Sequence, residues 1–598
     1  MRRLFFILLI ALFVLIGIFL GSRYAFCGLP YIYDMDEQSH LSRLVEMIRE
    51  GRWDPEYYRK PALHFYLRIP VTIMTYFVEV YRGALRSFDQ IQTTDPYHLG
   101  GISSASNPPV LIVVNRFFSG AAVIFGAVFL AYVLFRNIGV FYACCFLFLV
   151  FVSPSFSTFC CRLSVDPFCY LFACLVAGFC YKYTRSLNFR HLIVASIFAG
   201  LAFSTKYNFW ILGLIPVMLY MVSNKIGHVS IYQTAKLVAI PVFIFLVVNP
   251  FLLINYRMAI DDFTTQLVHY RSPSGQSFSE RLFENFQWLF LQNNSYLSIV
   301  GCILGVIFGR TRGFAFTVTL VCVLHILQMS MFKQTFFRNL FPLVPIVTFT
   351  SLVGFSHTPL AKIWPIVVIL FSCHLFGTTA LEAFKNSNCF ESRIYVDNWL
   401  KTHTRRTFLS GYLGFRNKTK NLPHVEVFKE GKIDVYDLAI NGAYFVVTHK
   451  PLIDPGGVFD LIKTINGEQI HYVRRNPTIN IYQVNRQNFL RNFGESEKLP
   501  TIFARQCFDH ACRLKNSFTR IIVDQPFKSA FVENIWPWKN SVELYCLSSV
   551  KKFSVHKKAE ISQFDCTNPV VYVRDIYIPE RFRIPDREPF GARIRFKG

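Results

Sequence analysis

Apolar stretches of membrane-spanning length, separated by short basic turns, run through the first 380 residues of the chain. A spanning helix needs about 20 consecutive residues that are mostly apolar. Stretches that approach this length lie near residues 4–22, 110–135, 138–154, 166–181, 191–205, 208–223, 235–253, 291–308, 313–331, 339–356 and 363–380. The pattern therefore predicts a polytopic α-helical membrane protein with about eleven transmembrane helices.

Basic residues mark one side of this predicted topology. Arg2 and Arg3 precede the first apolar stretch, which places the N-terminus in the cytoplasm by the positive-inside rule. The turns that are then cytoplasmic all carry basic residues, namely Arg136, Lys182, Arg185, Arg190, Lys225, Arg310, Arg312 and Lys362. Because the first stretch lacks a small-residue cleavage site, we expect an anchor and not a signal peptide.

The predicted transmembrane domain covers residues 1–381. Within it, residues 23–109 form a long loop on the far side of the membrane. Residues 36–50 of this loop have helical periodicity and are expected to form a helix along the membrane surface. Residues 65–81 are apolar but contain Arg68 and Pro70, which favours a re-entrant or interfacial segment.

An odd number of spans leaves everything after residue 381 on the far side. Residues 382–490 read as a soluble α/β domain, and residues 491–598 as a β-rich extension. The expected elements are a helix over 392–403 and strands over 443–448, 479–484, 542–547 and 570–573.

Composition agrees with a membrane protein and excludes some partners. Hydrophobic residues make up 53% of the 598 and charged residues only 17%, which argues against one large soluble core. The net charge of +25 exceeds what the cytoplasmic turns supply, and anionic lipid headgroups are its expected counterpart. No nucleic-acid-binding motif is present, so nucleic acid is not an expected partner.

The 16 cysteines fall into two groups. Most lie in or beside predicted spans, where a thiol packs as a small apolar group. In the C-terminal region, Cys507–Cys512 and Cys546–Cys566 could form disulfides if that region is extracytoplasmic. No cysteine spacing resembles a zinc site.

Paired carboxylates, Asp36 and Glu37, follow the first apolar stretch by about a dozen residues, on the predicted far side. At a membrane surface they suggest acid/base chemistry on a substrate that a lipid delivers; a simple helix N-cap at Asp36 is the alternative. The other candidates lie at the far-side ends of predicted spans or in far-side loops, namely Lys60, Arg162, Asp166, Lys206, His269, Lys333 and Arg338. Several have a structural alternative: Asp166 can complement a helix dipole, Lys206 can mark the far-side end of a helical hairpin, Lys333 and Arg338 can anchor at the headgroups, and His269 can be an ordinary loop residue.

Four segments of the chain together resemble the GT-C glycosyltransferases of the protein O-mannosyltransferase and lipid A aminoarabinose transferase type. They are Asp36-Glu37 followed by Gly51-Arg52-Trp53 and Lys60-Pro61-Ala62-Leu63, then Arg162 to Asp166, then Gly200 to Tyr207, and finally Phe337-Arg338-Asn339 to Pro345. The resemblance covers about residues 1–485. Two positions depart from it: Ala62 stands where relatives usually carry a second Pro, and Asn339 where they often carry Tyr.

The resemblance implies transfer of a sugar from an undecaprenyl or dolichyl monophosphate to an acceptor hydroxyl, with inversion at the anomeric carbon. It implies Asp36 as general base, with Glu37 orienting it or the acceptor, and Asp166 as a second site carboxylate. Cations would bind the donor's lipid phosphate, a role that the resemblance gives to Lys60, Arg162, Lys206, Lys333 and Arg338. His269 is a candidate for the acceptor or a metal; the sequence specifies no cofactor and leaves a divalent metal open.

Two other functions compete with the glycosyltransferase. A transporter or flippase for a lipid-linked sugar would show two related halves with broken helices near the membrane midplane, and no internal duplication is evident. A non-catalytic GT-C-like subunit is the other alternative. The acceptor could be a glycan, a lipid or a protein, and the expected membrane is a bacterial inner membrane, or the endoplasmic reticulum in a eukaryote.

Overall fold

The computed structural model describes most of the chain up to residue 358 and selected parts beyond it. The described residues are 2–26, 29, 31, 35–91, 109–224, 229–271, 276–293, 295–308, 312–333, 336–358, a few positions between 361 and 377, most of 392–428, 438–439, 443–452, 454, 457–467, 477–485, 487–488 and, further on, the seven strands given below. Those up to residue 377 belong to one compact unit, and those from Ser392 onward belong to a second.

Helices make up almost all of the first unit. They are α1 Arg2–Ala25, α2 Met35–Arg49, α3 Leu63–Tyr81, α4 Val110–Asn137, α5 Val140–Phe151, α6 Pro154–Phe159, α7 Asp166–Ser186, α8 Phe189–Phe203, α9 Leu214–Ser223, α10 Ile231–Val248, α11 Phe251–Ile254, α12 Tyr256–Arg271, α13 Phe278–Phe286, α14 Ser295–Phe308, α15 Arg312–Met331 and α16 Val344–Phe355. Short 3₁₀ turns precede α9 and α16, at Tyr207–Gly213, Phe337–Asn339 and Phe341–Leu343.

Four helical segments of the described chain are long and apolar enough to cross a membrane, namely Val110–Asn137, Ile231–Val248, Arg312–Met331 and Phe337–Phe355. Shorter apolar helices, Ile7–Ser22, Val140–Phe151, Phe189–Phe203, Tyr207–Ser223 and Ser298–Phe308, lie at other predicted spans. A helical membrane protein is thus confirmed, whereas the count of about eleven spans and the side of the N-terminus stay predictions. The predicted span 363–380 lies mostly outside the described residues.

Polar and proline residues shorten or divide several predicted spans. The stretch 138–154 is broken near its end because Ser153 accepts a hydrogen bond from the Phe156 N–H at 3.3 Å and caps α6, which begins at Pro154. By contrast, Pro70 does not interrupt α3, which runs as one helix through the segment predicted to be re-entrant or interfacial.

The predicted surface helix over 36–50 is present as α2 and is packed on two sides. Leu41 and Val45 pack with Leu111 and Leu163, while Leu44 packs in a separate cluster against α3. The helix is therefore fixed against α3, α4 and the segment before α7. This packing places the Asp36–Glu37 pair, at the N-terminal end of α2, against the same elements.

Close helix packing continues at α14 and α16, which meet through glycines. A Cβ atom at Gly354 would overlap the Gly301 carbonyl oxygen, and one at Gly301 would overlap the Ser351 side chain. Neither position can take a larger residue without moving one helix away from the other.

The second unit begins with α17 Ser392–Thr402 and a five-stranded sheet. Its strands are β1 Thr407–Ser410, β2 Val425–Phe428, β3 Phe445–Thr448, β4 Phe459–Ile465 and β5 Ile479–Val484, in the order β2-β1-β3-β5-β4. The strands β2, β1 and β3 are parallel, and β5 is antiparallel to both β3 and β4. The predicted helix over 392–403 and the strands over 443–448 and 479–484 are confirmed.

Seven further strands follow, namely β6 Thr519–Ile522, β7 Ser529–Glu533, β8 Val542–Cys546, β9 Ser549–Val555, β10 Ala559–Ile561, β11 Pro569–Val573 and β12 Arg593–Lys597. They form two antiparallel sheets, β10-β7-β12 and β6-β11-β8-β9. The β-rich character predicted for this region is confirmed. Both predicted disulfides include cysteines outside the described residues, so the pairings stay predictions.

Candidate functional site

Glu37 is buried and forms a two-point ion pair with Arg116 of α4. The Arg116 Nε donates to Oε1 at 3.0 Å and Nη2 donates to Oε2 at 2.6 Å, and neither side chain is more than 1% exposed. Oε1 also accepts the Leu163 N–H at 2.9 Å. Glu37 thus joins α2, α4 and the segment before α7, and these contacts hold the start of α2 in place.

Arg116 extends this junction to the end of α1. Its Nη1 donates to the Ala25 carbonyl oxygen at 3.0 Å, and its guanidinium lies 5.3 Å from the centre of the Tyr24 ring. A buried ion pair is stable only when its remaining hydrogen-bonding groups are satisfied. The carbonyl and the ring face supply those contacts.

Asp36 points to a different partner. Its Oδ2 lies 2.5 Å from Nη1 of Arg338, in the 3₁₀ turn Phe337–Asn339, and the two side chains are 19% and 18% exposed. The Arg338 guanidinium also lies 5.4 Å from the centre of the Phe336 ring. Of the two neighbouring carboxylates, Asp36 is therefore the one that a substrate can reach.

A second carboxylate–cation pair lies close to the first. Asp166, at the start of α7, pairs with Lys206, and Lys206 also donates to the Asn339 side-chain oxygen at 2.6 Å. The Ser164 hydroxyl donates to Asp166 Oδ2 at 3.2 Å. Since Asn339 follows Arg338 directly, this buried pair also supports the turn that carries Arg338.

Lys60 is the third cation of the cluster and has no partner among the residues that the structure describes. It is 9% exposed, and within the described residues it forms neither a hydrogen bond nor an ion pair. Lys60 and Arg338 both lie within electrostatic range of Asp36 and Asp166. Lys60 also borders a cavity whose other walls include Tyr57, Tyr66 and Phe251. A cation in this position is available to an anion.

The positive charges of the cluster determine the protonation state of the two carboxyl groups at the start of α2, Asp36 and Glu37. Burial would raise the pKa of Asp36, but the positive charges of Arg338 and Lys60 outweigh that effect and hold its pKa well below the ordinary range. For Glu37, burial is again outweighed, here by Arg116, and the pKa is lowered. Both carboxyl groups are therefore ionised at neutral pH.

The remaining predicted site residues are Arg162, Lys333 and His269. The Arg162 Nε donates to the Tyr24 hydroxyl at 3.2 Å, and its guanidinium lies 5.0 Å from the Phe159 ring centre. Lys333 is exposed, and its backbone N–H donates to the Tyr270 carbonyl oxygen at 2.9 Å. The His269 side chain lies outside the described residues.

Comparison of the sequence with family models and with curated proteins gives no match. Comparison with solved structures does give matches. ArnT from Cupriavidus metallidurans, in the apo state, is 12% identical, covers 79% of this chain and 97% of its own, and has a TM-score of 0.42. The oligosaccharyltransferase AglB from Archaeoglobus fulgidus, in complex with an inhibitory peptide and a dolichol-phosphate, is 10% identical, covers 97% and 98%, and has a TM-score of 0.44.

A third match is the arabinofuranosyltransferase AftD from Mycobacteria, at 10% identity and a TM-score of 0.38, with all of this chain aligned to 60% of that one. All three are GT-C glycosyltransferases. Because identities and TM-scores are low, the function proposed for this chain rests on its own residues.

Two buried arginines, Arg68 and Arg116, hold elements of the site in place, although the sequence did not predict them as site residues. Besides Arg116, Arg68 of α3 is fully buried and donates to the Asn115 and Ser164 carbonyl oxygens, each at 2.9 Å, and to the Ser119 hydroxyl at 2.8 Å. Arg68 thereby holds the segment that ends at Asp166. The signal for both was their position in apolar segments, where a charge is costly unless other groups satisfy it.

The described residues contain no group of three or more His, Cys, Asp or Glu side chains that could hold a metal ion. The two carboxylates of the cluster that were predicted as catalytic candidates, Asp36 and Asp166, each face a cation.

His40 predicts a pH effect on stability. It lies one turn after Asp36, faces the charges of Asp36, Lys60 and Arg68, and burial lowers its pKa from 6.5 to about 4. Because the folded pKa is the lower one, its contribution is complete above pH 6.5 and is lost as the pH falls towards 4. The slope is at most about 1.4 kcal/mol of unfolding free energy per pH unit.

Chemical denaturation at pH 7 and pH 5 measures this effect. The wild type should lose more stability between the two pH values than His40→Gln, which has no titrating group at that position. Equal losses in the two proteins would contradict the buried, neutral state of His40.

Proposed function

We propose that this chain transfers a sugar from a polyprenyl monophosphate, undecaprenyl or dolichyl, to an acceptor hydroxyl on the far side of the membrane. The observation that carries the proposal is the charge cluster: a reachable carboxylate, Asp36, beside two cations, Arg338 and Lys60, of which Lys60 is unpaired in the described structure. Such a cluster offers a proton acceptor within electrostatic range of an anion site.

In the proposed reaction, Asp36 takes the proton of the acceptor hydroxyl as its oxygen attacks the anomeric carbon. The bond from that carbon to the phosphate oxygen breaks, the electron pair goes to the lipid phosphate, and attack from the opposite face inverts the configuration. Lys60 and Arg338 stabilise the negative charge that develops on the phosphate.

Arg338 takes part both in proton transfer to Asp36 and in stabilisation of the leaving phosphate. While it faces Asp36, it keeps the pKa of that carboxyl low, so Asp36 is ionised but is a weak base. As charge develops on the phosphate, Arg338 becomes shared with a second anion, and the basicity of Asp36 rises. The guanidinium, with its several donors, suits such sharing better than an ammonium group.

The other predicted residues take supporting places in this proposal. Asp166 and Lys206 form a buried pair that fixes Asn339, and hence the turn that bears Arg338. Glu37 fixes α2 through Arg116, so its orienting effect on Asp36 passes through the helix. Arg162 and Lys333 supply positive potential at the edge of the site, where they would attract the anionic donor.

Binding of the lipid product tests the anion site. Lys60→Met should weaken the binding of a polyprenyl monophosphate to the purified protein in lipid nanodiscs by about tenfold or more, because one unscreened charge contact is lost. Lys60→Arg, which keeps the charge, should retain most of the affinity. Unchanged binding in Lys60→Met would remove Lys60 from the phosphate site, and absence of binding in the wild type would contradict the proposed donor class.

The proposal leaves several acceptors open: a glycan, a lipid and a protein hydroxyl all offer the required nucleophile. The location would be an integral position in a bacterial inner membrane, or in the endoplasmic reticulum membrane of a eukaryote. The net charge of +25 suits a surface of anionic lipids in either case.

A further inference from the structure

The segment that carries Lys60 is held by a residue of α12. Asp262, in the middle of that helix, accepts the Tyr58 backbone N–H on Oδ2 at 2.8 Å and the Arg59 Nε on Oδ1 at 3.4 Å. Its side chain is 21% exposed. One carboxylate thus accepts hydrogen bonds from both residues that immediately precede Lys60.

Further hydrogen bonds hold the rest of this segment in place. The Tyr58 hydroxyl donates to the Asp54 carboxylate, and the Asn255 amide donates to Asp54 Oδ2 at 2.5 Å. On the other side, the Tyr207 hydroxyl donates to the Tyr58 carbonyl oxygen at 2.8 Å. The conformation around Lys60 therefore depends on side chains that lie between 149 and 204 residues away in sequence.

The other end of α12 contacts the segment that leads to Arg338. The Tyr270 carbonyl oxygen accepts the Lys333 N–H at 2.9 Å. The Tyr270 ring lies 4.8 Å from the Phe332 ring and 5.9 Å from the Phe336 ring, between centroids. Tyr270 also lies within electrostatic range of Lys60 and Arg338. One helix therefore touches the supports of both cations of the anion site.

From this geometry we propose that Asp262 is a positioning residue: by holding the Tyr58 backbone N–H and the Arg59 side chain to α12, it sets where Lys60 stands relative to Arg338. The ligand whose binding depends on this spacing is the lipid phosphate, so the proposal rests on the function proposed above. Asp262 itself does not touch the substrate; it acts through Lys60.

The test compares two neighbouring aspartates in the full-length protein. Asp261 is exposed and forms no hydrogen bond or ion pair within the described residues, so Asp261→Ala is a control with the same change of charge on the same helix. Asp262→Ala should weaken polyprenyl monophosphate binding by about three- to tenfold, since it removes a charge-assisted contact and leaves Lys60 itself intact. Asp261→Ala should bind like the wild type.

Two further measurements separate positioning from general damage. In a Lys60→Met background, Asp262→Ala should cause little additional loss of binding, because the residue through which it acts is gone. Hydrogen exchange of the peptide around Tyr58 should speed up in Asp262→Ala and stay unchanged in Asp261→Ala. Additive losses in the double variant would overturn the proposal, as would equal binding by the two alanine variants.

These outcomes differ from a failure of the proposed function. If the wild type binds polyprenyl monophosphate and Asp262→Ala binds it equally well, the proposed function stands and the positioning role is wrong. If the wild type binds none, the proposed function is wrong and the positioning role loses its ligand with it.

Discussion

Replacement of Asp36 by Asn is expected to lower the rate of sugar transfer by about 10²–10⁴-fold, the usual effect of losing a general base. The amide keeps the size of the carboxyl group but cannot take the acceptor's proton. The loss should appear in kcat, because Lys60 and Arg338 still bind the donor phosphate. Steady-state transfer assays at saturating donor measure it directly.

A control on the same helix makes this result specific. Glu46 lies on α2, is 37% exposed and pairs only with Arg43 in the described structure. Glu46→Gln should transfer sugar at the wild-type rate. Equal transfer by Asp36→Asn and the wild type would remove Asp36 as the base and would point to Asp166, the other carboxylate of the cluster.

The largest expected effect on stability belongs to Arg116. Arg116→Met leaves Glu37 charged, buried and without its guanidinium, and breaking a buried pair from one side costs about 3–5 kcal/mol. Arg52→Met, which breaks exposed pairs with Glu50 and Glu56, should cost about 0–1 kcal/mol. Thermal unfolding in one detergent, with circular dichroism as the probe, ranks the two variants.

The double variant Glu37→Gln with Arg116→Met tests the reason for this loss. Because it leaves no unpaired charge in the interior, it should recover a large part of the stability lost in Arg116→Met. A double variant as unstable as Arg116→Met alone would show that the arginine acts through packing and its bonds to α1. An Arg116→Met protein as stable as Arg52→Met would contradict the buried ion pair itself.

The hydrophobic pattern predicted the helical membrane unit and the sheet-containing C-terminal region, because periodicity and length are local properties of the chain. It was wrong where a single residue ends an element: the cap at Ser153 and the proline after it shorten the predicted span 138–154. The segment 65–81 lies in one continuous helix that runs through Pro70, and its re-entrant or interfacial position stays a prediction.

The sequence also identified residues that the structure brings together. Asp36 and Arg338 are in contact although about 300 residues separate them, and Asp166 meets Lys206. What the sequence could not provide was the assignment of partners. Arg116 lies 79 residues from Glu37, and the supports of Lys60 come from α12, so nothing in the local pattern links them.

Sugar transfer by the purified wild type tests the proposed glycosyltransferase activity most directly. The donors are a membrane lipid extract and defined polyprenyl monophosphate sugars. Mass spectrometry would follow both the acceptor and the released lipid phosphate. We expect a lipid-dependent gain of one sugar mass on an acceptor, with release of polyprenyl monophosphate. No transfer, with donors and acceptors shown to be competent for another enzyme, would contradict it and favour a transporter or a non-catalytic subunit.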